Sequence, residues 1–294
     1  MTSPAGSSQF AAPPRTVDAW LAARMLLGSV RAQIGWLILG FASLFFWAFA
    51  WNADLSAWRF KPAATGQVRG ESIECRPTRL SEGGTKTRRG TPIYENLYRY
   101  QLSGQPYQGS SFATGTCLAG GPVTVEYLLD KPAYSRIAGM RRRPFGPEAI
   151  VVAVMPAIGI FMIVTAILRG HLHAQLLRDG LFATGKLVEK TRTNVQQGRR
   201  QVYRMTFEFI AQTGVTGRVT TRTSTPGLLG DAGDVHLLYD PANLKRAALL
   251  ATLPGTIGAG ETGQPIARGS ALFWVLPALT ILGNAWYVYH LQSR

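Results

Sequence analysis

Residues 149–168 read AIVVAVMPAIGIFMIVTAIL, a run of 20 residues without Asp, Glu, Lys or Arg. A helix rises about 1.5 Å per residue, so this run is long enough to cross the roughly 30 Å hydrocarbon core of a bilayer. Two further charge-free windows, 32–53 and 269–293, have 22 and 25 residues. The sequence therefore predicts three transmembrane helices, at 32–53, 149–168 and 269–293.

The composition supports a membrane protein and excludes several other classes. The 294 residues are 46% hydrophobic and only 16% charged, yet the formal net charge is +15. Such a chain is neither a simple soluble enzyme nor a disordered tail protein. Two cysteines are also too few for a small domain that depends on several disulfides.

The first window has an alternative interpretation as a signal peptide, because Ala48-Phe49-Ala50 has the small-residue form of a cleavage site. The lead before its apolar run is too long for an ordinary signal peptide, and Trp47 and Trp51 suit the lipid–water interface. We therefore predict a retained helix, preceded by a flexible N-terminal lead at 1–31.

The segments between the windows, 54–148 and 169–268, have the alternating pattern of β-strands. Tyr98, Tyr100 and Leu102 alternate with polar residues in the first segment. In the second segment the same alternation runs through Tyr203, Met205, Phe207 and Phe209. Alternation of this kind places one face of a sheet on a core and the other in water. We predict an α+β membrane protein in which 54–148 and 169–268 are small all-β domains, each a barrel or a sandwich.

The two segments also resemble each other, which indicates an internal repeat. Ala64-Thr65-Gly66 recurs as Ala183-Thr184-Gly185, and an aromatic strand follows in each case. Near the end, Leu128-Leu129-Asp130-Lys131-Pro132 is similar to Leu238-Tyr239-Asp240-Pro241. This comparison aligns Gly66 with Gly185 and Asp130 with Asp240, and it predicts about five strands in each copy.

Several of these motifs resemble a known family. The strings Tyr107-Gln108-Gly109-Ser110-Ser111, Val125-Glu126-Tyr127 and Ser135-Arg136-Ile137-Ala138-Gly139 are similar to the bacterial membrane proteins grouped under domain of unknown function three thousand five hundred and ninety-two. The resemblance spans roughly residues 60 to 255, here in a two-copy form. It implies a small β domain flanked by transmembrane helices, located in the bacterial inner membrane, with no established activity.

One predicted crossing separates the two β domains, so we expect them on opposite faces of the membrane. Counted within about 18 residues of the spans, Lys and Arg number seven on one side and nine on the other, which does not decide the orientation. Both cysteines, Cys75 and Cys117, lie in the first domain and would form a disulfide in an oxidising compartment. The alternative is two separate buried thiols. We predict a cytoplasmic N-terminus and a periplasmic first domain.

No pattern in the sequence indicates catalysis. His171 and His173 are two residues apart in a helical pattern, so their side chains point in different directions and do not share a metal ion. The chain has no G-x-S-x-G motif, phosphate-binding loop or dinucleotide fingerprint. We therefore predict a protein that is not an enzyme, without catalytic residues, metal ligands or a cofactor.

The positive charge of the second domain gives the one candidate binding site. Six cations surround a predicted hairpin, namely Lys186, Lys190, Arg192, Arg199, Arg200 and Arg204. Near an anionic bilayer surface each cation contributes about 1 kcal/mol of attraction, so we predict contact with lipid headgroups. A solvated basic face is the alternative. We do not expect nucleic acid as a partner, because the aromatic residues of the same strands face inward.

These observations predict an integral membrane protein of a non-catalytic interaction or assembly type. Its partners would be membrane lipids together with proteins that the sequence does not identify. The alternative function is an accessory subunit of a transporter or channel, in which Pro156, Pro277 and Asn284 kink or line the membrane helices.

Overall fold

The computed structural model describes residues 10–85, 87, 89–198, 200–229, 234–268 and 270–292. It contains helices α1 (Ala19–Leu27), α2 (Val30–Ala48), α3 (Val154–Asp179) and α4 (Val275–Gln292). Three helical segments, Val30–Asn52, Pro147–Asp179 and Ala271–His290, are long and apolar enough to cross a membrane. The chain divides into two compact units, Phe41–Pro156 and the remainder, Met1–Gly40 with Ala157–Arg294.

The unit Phe41–Pro156 contains one five-stranded antiparallel sheet. Its strands are β1 (Thr65–Glu82), β2 (Thr91–Leu102), β3 (Gln105–Thr114), β4 (Pro122–Leu128) and β5 (Ser135–Ile137), in the order β3-β2-β1-β4-β5. The outermost strands, β3 and β5, contact each other, and the Ser111 hydroxyl accepts a hydrogen bond from the Ile137 N–H over 2.8 Å. The sheet therefore curls until it almost closes as a barrel.

The other unit contains a second sheet with the same arrangement. Its strands are β6 (Leu181–Gln197), β7 (Arg200–Ile210), β8 (Thr216–Thr223), β9 (Val235–Asp240) and β10 (Asn243–Leu249), in the order β10-β9-β6-β7-β8. In both sheets the first strand is central, with the second and third on one side and the fourth and fifth on the other. A separate hairpin, β11 (Thr256–Ala259) and β12 (Pro265–Arg268), follows this sheet.

The register of the two sheets agrees strand by strand. Gly70 pairs with Tyr100 and Val123, and Gly185 pairs with Phe209 and Val235. In both central strands the pairing shifts two residues and again seven residues after the glycine. Gly70 and Gly185 are therefore equivalent, and the two register shifts occur at equivalent positions in both sheets.

This register corrects the alignment predicted from the sequence. Gly185 is equivalent to Gly70 rather than Gly66, and Tyr239 is equivalent to Tyr127 rather than Leu129. The sequence comparison matched turn and strand-edge residue types, which recur for local reasons. Backbone pairing is instead set by the strand centres, where a Cβ on Gly70 would lie 2.8 Å from the Val125 Cγ2 atom and one on Gly185 2.9 Å from the Leu237 Cδ2 atom.

Equivalent positions form the two cores. In the first sheet Tyr98, Tyr100, Val123, Val125 and Ile137 are buried together. In the second sheet the same positions hold Phe207, Phe209, Val235, Leu237 and Leu249. The cores differ at the first of these positions, where Tyr98 has a hydroxyl group and Phe207 has none. The Tyr98 hydroxyl lies 2.9 Å from the Ser135 hydroxyl, and burial raises the pKa of Tyr98. The first core is thus the more hydrogen-bonded of the two.

The boundaries of the second domain differ from the prediction. Residues 169–179, predicted to belong to a β domain, continue helix α3 to Asp179. They do so because Leu176 and Leu177 pack on Leu238 and Ala248 of the second sheet, which makes the helix end part of that core.

The N-terminal segment differs from the flexible lead predicted at 1–31. Residues 19–27 form helix α1, whose Leu21 and Met25 side chains are fully buried in the same cluster as Leu238. The segment before α1 is bound as well, since the Arg15 N–H donates to the Arg178 carbonyl oxygen over 2.7 Å. A low charge density suggested disorder, but apolar residues at helical spacing give this segment a buried face.

Helices α2 and α3 approach closely at glycine. A Cβ added to Gly35 would lie 2.9 Å from the Ile163 Cγ1 atom and 3.1 Å from the Gly159 carbonyl oxygen. On the other side of α2, the Thr280 hydroxyl of α4 donates to the Trp36 carbonyl oxygen over 3.3 Å. Small residues at such crossings let helix backbones pack without intervening side chains.

Pro156 and Pro277 do not kink the middle of a helix. Each is the third residue of its α-helix and follows a 3-10 turn, Pro147–Ala153 or Ala271–Trp274. A proline has no N–H to donate to the carbonyl oxygen four residues earlier in the helix. The change from 3-10 to α geometry at this point accommodates the missing hydrogen bond.

Candidate functional site

The cations predicted to contact headgroups lie on one hairpin but on two faces of it. Lys186, Lys190 and Arg192 belong to β6, Arg200 and Arg204 to β7, and Arg199 is outside the described residues. Lys190 pairs with the buried Met205 and Arg192 with Tyr203, so both lie on the core side of the sheet. Lys186 pairs with Glu208, and Arg204 lies on that same outer side.

The outer side of the sheet forms a groove together with the end of helix α3. The groove has a volume of about 990 Å³ and is lined by Arg169, His173, Glu189, Arg204, Thr206, Val219, Thr220, Thr221, Arg222, Ala247, Ala248 and Thr252. We call it the basic groove. Three guanidinium groups and one carboxylate line it, so it carries a positive charge.

Two of these arginines are direct neighbours across the sheet. Arg204 of β7 pairs with Arg222 of β8, and both side chains are exposed. Like charges directly opposite each other destabilise a sheet. Within the described residues neither arginine forms an ion pair with a carboxylate, although Glu208, four residue pairs along the ladder and on the same face, is bound by Arg218 over 2.9 Å. An anion between Arg204 and Arg222 would remove this repulsion.

The floor of the groove also has an unsatisfied polar atom. The Nδ1 atom of His173 is buried and has no hydrogen-bond partner in the part of the chain that the structure describes. His173 also lines a neighbouring cavity of about 430 Å³, where Asp240 and Arg246 approach to 3.7 Å. The Thr206 and Thr220 hydroxyl groups lie 3.2 Å apart beside the arginines. Hydroxyl, imidazole and guanidinium groups together are suited to a phosphate or carboxylate ligand.

Sequence reasoning found Arg204 but missed Arg169 and Arg222. Arg222 lies on the same face of β8 as Thr220 and Arg218, because the three occupy every second position. This pattern is visible in the sequence. Its position opposite Arg204 was not available, because it depends on the register of two strands. Arg169 was assigned to the flank of a span, and the sequence gives no reason to place it beside a sheet.

The two cysteines meet in the first sheet. Cys75 of β1 and Cys117 form a disulfide with their Cα atoms 5.6 Å apart. The loop that carries Cys117 is also held by hydrogen bonds. The Asn96 side chain accepts from the Leu118 N–H over 2.7 Å, and the Ser72 hydroxyl donates to the Leu118 carbonyl oxygen over 2.6 Å. These contacts fix the loop against the sheet and supply no reactive group.

The perturbed carboxylates have structural explanations. Burial alone would raise the pKa of Asp54, but hydrogen bonds from Ser56 and from the Arg142 N–H hold it below its usual value. Burial opposes ionisation of Glu82 in the same way, and hydrogen bonds from Arg141 and Thr114 lower its pKa. Among the described residues, no group of three or more His, Cys, Asp or Glu side chains is placed to hold a metal ion.

Comparisons with protein-family models, with curated proteins and with solved structures find no match to this chain. The resemblance to domain of unknown function three thousand five hundred and ninety-two stays a prediction.

Proposed function

We propose that this protein is an integral membrane protein of a non-catalytic interaction or assembly type, whose β domains contact lipid headgroups or partner proteins on opposite faces of the membrane. Membrane insertion is supported by the apolar side chains that the helices leave exposed. Leu37 is 57% exposed, Ile160 51% and Leu282 66%. An aqueous surface rarely presents so many large apolar side chains on three separate helices.

The orientation is proposed from the order of the helices and from the disulfide. Helices α2 and α3 would each cross once, so residues before α2 and after α3 lie on one side. The contacts of Leu21 and Met25 with Leu238 agree with that arrangement. The disulfide of Cys75 and Cys117 favours an oxidising compartment for the first sheet, which makes the N-terminus cytoplasmic.

The basic groove is the observation that supports headgroup binding best. Arg169 is the first charged residue after the charge-free run 149–168, so the groove begins where the helix leaves the hydrocarbon. Arg204 and Arg222 add two cations at the same place. Anionic headgroups at this level of the bilayer would neutralise the paired arginines.

The groove is less suited to nucleic acid. The aromatic side chains of β7, including Phe207 and Phe209, are buried in the core on the opposite face. The groove lining contains no Phe, Tyr or Trp among the described residues. Proteins that bind single-stranded nucleic acid usually stack bases on such side chains.

The alternative of a transporter or channel subunit depended on proline kinks within the membrane. Pro156 and Pro277 lie in the first turns of their α-helices. Asn284 donates to the Thr280 carbonyl oxygen one turn earlier, over 2.8 Å. No feature of the described helices favours this alternative over headgroup binding.

Headgroup binding is tested by hydrogen exchange in lipid nanodiscs, with and without phosphatidylglycerol in a phosphatidylcholine bilayer. We expect phosphatidylglycerol to slow amide exchange in β7 and β8, because an anion in the groove would join the two strands. The Arg204→Gln/Arg222→Gln variant should lose this effect. The matched control, Lys190→Gln/Arg192→Gln, removes the same charge from the other face and should retain it. Equal exchange of the wild-type protein in both bilayers would reject the proposal.

A further inference from the structure

A second cavity lies within the unit Phe41–Pro156, where helix α2 ends and the chain leads into the first sheet. It has a volume of about 610 Å³ and is lined by Phe46, Ala50, Trp51, Ala53, Asp54, Leu55, Ser56, Trp58, Arg59, Tyr134, Arg142, Arg143 and Ile150. We call it the arginine–tryptophan cleft. Its volume is in the range of about 300–1,000 Å³ that is typical of small-ligand sites.

Two chain segments that are distant in sequence form the frame of this cleft. The Asp54 N–H donates to the Phe145 carbonyl oxygen over 2.8 Å, and the Phe145 N–H donates to the Asn52 carbonyl oxygen over 3.2 Å. The buried Asp54 carboxylate accepts from the Arg142 N–H over 2.7 Å and from the Ser56 N–H over 2.9 Å. The segment that follows α2 and the segment that precedes α3 are thus held together before any ligand binds.

The same contacts position the cationic side chains. The Arg142 guanidinium carbon lies 3.4 Å from the centre of the Tyr134 ring, and its Nε atom donates to the Ser135 carbonyl oxygen over 3.0 Å. Arg59 lies over the same ring at 5.7 Å. Stacking of this kind holds the guanidinium plane while leaving other N–H groups free for a ligand.

The charges of the cleft are not balanced internally. Arg59, Arg142 and Arg143 face a single carboxylate, Asp54, and the donors of Ser56 and the Arg142 backbone already occupy it. Among the described residues none of the three arginines forms an ion pair with a carboxylate, whereas the neighbouring Arg136 is bound to Glu126 over 2.9 Å. The cleft is therefore suited to an anion.

Part of the lining of the cleft is apolar and exposed. Trp58 is 68% exposed, Trp51 52% and Ile150 39%. These side chains continue the exposed apolar surface of α2, where Phe41 is 64% exposed. Tryptophan at such a position is typical of the level where headgroups meet acyl chains. An anion bound here would have an apolar surface directly beside it.

We propose that the arginine–tryptophan cleft binds the phosphate group of an anionic glycerophospholipid, with the glycerol and the first part of the acyl chains against Trp51 and Trp58. This inference rests on the proposed membrane insertion but is independent of the basic groove. It adds a lipid site on the face of the membrane that the first β domain occupies. Arg59 and Arg143 contribute two cations, and Arg142, which is held by Tyr134 and Ser135, contributes the third.

The site is tested by native mass spectrometry of the full-length protein, released from detergent micelles that contain phosphatidylglycerol or phosphatidylcholine. We expect the wild-type protein to retain phosphatidylglycerol with at least tenfold higher affinity. The Arg59→Gln/Arg143→Gln variant should retain fewer phosphatidylglycerol molecules than the wild-type protein and keep those that the basic groove binds. The control variant Arg76→Gln/Arg99→Gln removes the same charge from exposed ion pairs elsewhere in the sheet and should retain as many as the wild-type protein.

Equal retention of the two lipids by the wild-type protein, or unchanged retention of phosphatidylglycerol by the Arg59→Gln/Arg143→Gln variant, would overturn the assignment. Inorganic phosphate and glycerol phosphate are added in separate arms. Displacement of the lipid by either at equal concentration would show a site for free phosphate and would reject the lipid. An unchanged melting temperature of the variant shows that it is folded.

A further arm separates this proposal from the proposed function. The Arg204→Gln/Arg222→Gln variant should retain the phosphatidylglycerol that depends on Arg59 and Arg143. If that variant loses all preference, the lipid binds in the basic groove, and the cleft is not a lipid site. If the protein is soluble without detergent, membrane insertion itself is wrong.

Discussion

The guanidinium group of Arg15 donates a hydrogen bond to the carbonyl oxygen of Gly180 over 2.9 Å, across 165 residues of sequence. A second bond, over 3.1 Å, reaches the Leu177 carbonyl oxygen, and Arg15 is only 3% exposed. These carbonyl groups lie at the end of α3, where the helix has no partners for them and where its dipole favours a cation. Arg15 therefore joins the N-terminal segment to the junction of helix and sheet.

Replacement of Arg15 by methionine should release this segment. Buried carbonyl groups left without a donor cost about 1–3 kcal/mol each, so we expect the protein to lose about 2 kcal/mol of stability. Hydrogen exchange in α1 should accelerate, and proteases should cut before Ala19. The control Arg178→Met removes an exposed arginine at the same helix end, paired with Asp179, and should change neither measurement. Unchanged protection of α1 in Arg15→Met would contradict the capping role.

Loss of the disulfide should destabilise the first sheet. Cys75 and Cys117 are 42 residues apart, and closing a loop of this length contributes up to about 4 kcal/mol in the chain-entropy account. We expect Cys75→Ser/Cys117→Ser to unfold at lower denaturant concentration than the oxidised protein. Reductant should shift the wild-type midpoint toward that of the variant and leave the variant unchanged. Identical midpoints in all samples would show that the bond does not stabilise the first sheet.

Asp54 should make the stability of the first unit depend on pH in the acid range. Hydrogen bonds from Ser56 and Arg142 hold the pKa of its carboxyl below the usual value of 3.8. The stabilisation is therefore complete above pH 3.8 and is lost as the pH falls below it toward the folded-state pKa. Asp54→Asn should be less stable than the wild-type protein at neutral pH, with a difference that shrinks below pH 3.8. Asp130→Asn, at an exposed carboxylate, is the control, and a difference independent of pH would refute this role.

The crossing of α2 and α3 should tolerate no side chain at Gly35. A methyl group there meets the Ile163 side chain and the Gly159 carbonyl oxygen, and overpacking of this kind costs about 1–3 kcal/mol. We expect Gly35→Ala to lower the melting temperature in detergent. The matched control is Gly283→Ala in α4, where a Cβ would have nothing within 4 Å. A melting temperature equally unaffected by both changes would mean that the helices do not pack at Gly35.

The sequence predicts the three long helices and the strands, but not helix α1. Charge-free runs mark α2, α3 and α4, which are long and apolar enough to cross a membrane, and Tyr98, Tyr100, Phe207 and Phe209 lie on buried faces because side chains alternate along strands. Such patterns are local. The bond from Arg15 to Gly180 and the pairing of Arg204 with Arg222 connect distant segments, and no local pattern specifies them.

The candidate sites show the same limit. Charge density indicated a hairpin rich in cations, but alternation divides Lys190 and Arg192 from Arg204, and Arg204 is the one predicted cation that lines the groove among the described residues. The cleft needs Arg59 and Arg142 to meet through the contact of Asp54 with the Arg142 backbone, across 88 residues. The sequence predicts an interfacial position for Trp51, but not that Trp58, Arg59 and Arg142 lie beside it.

The shared strand order of the two sheets has a consequence for how the chain arose. Each sheet follows one long apolar helix, directly after α3 and after two short 3-10 turns in the case of α2, as duplication of a segment with one helix and one sheet would produce. Cys75 of the first copy is equivalent in register to Lys190 of the second. The disulfide of Cys75 with Cys117 is therefore a feature of the first copy alone.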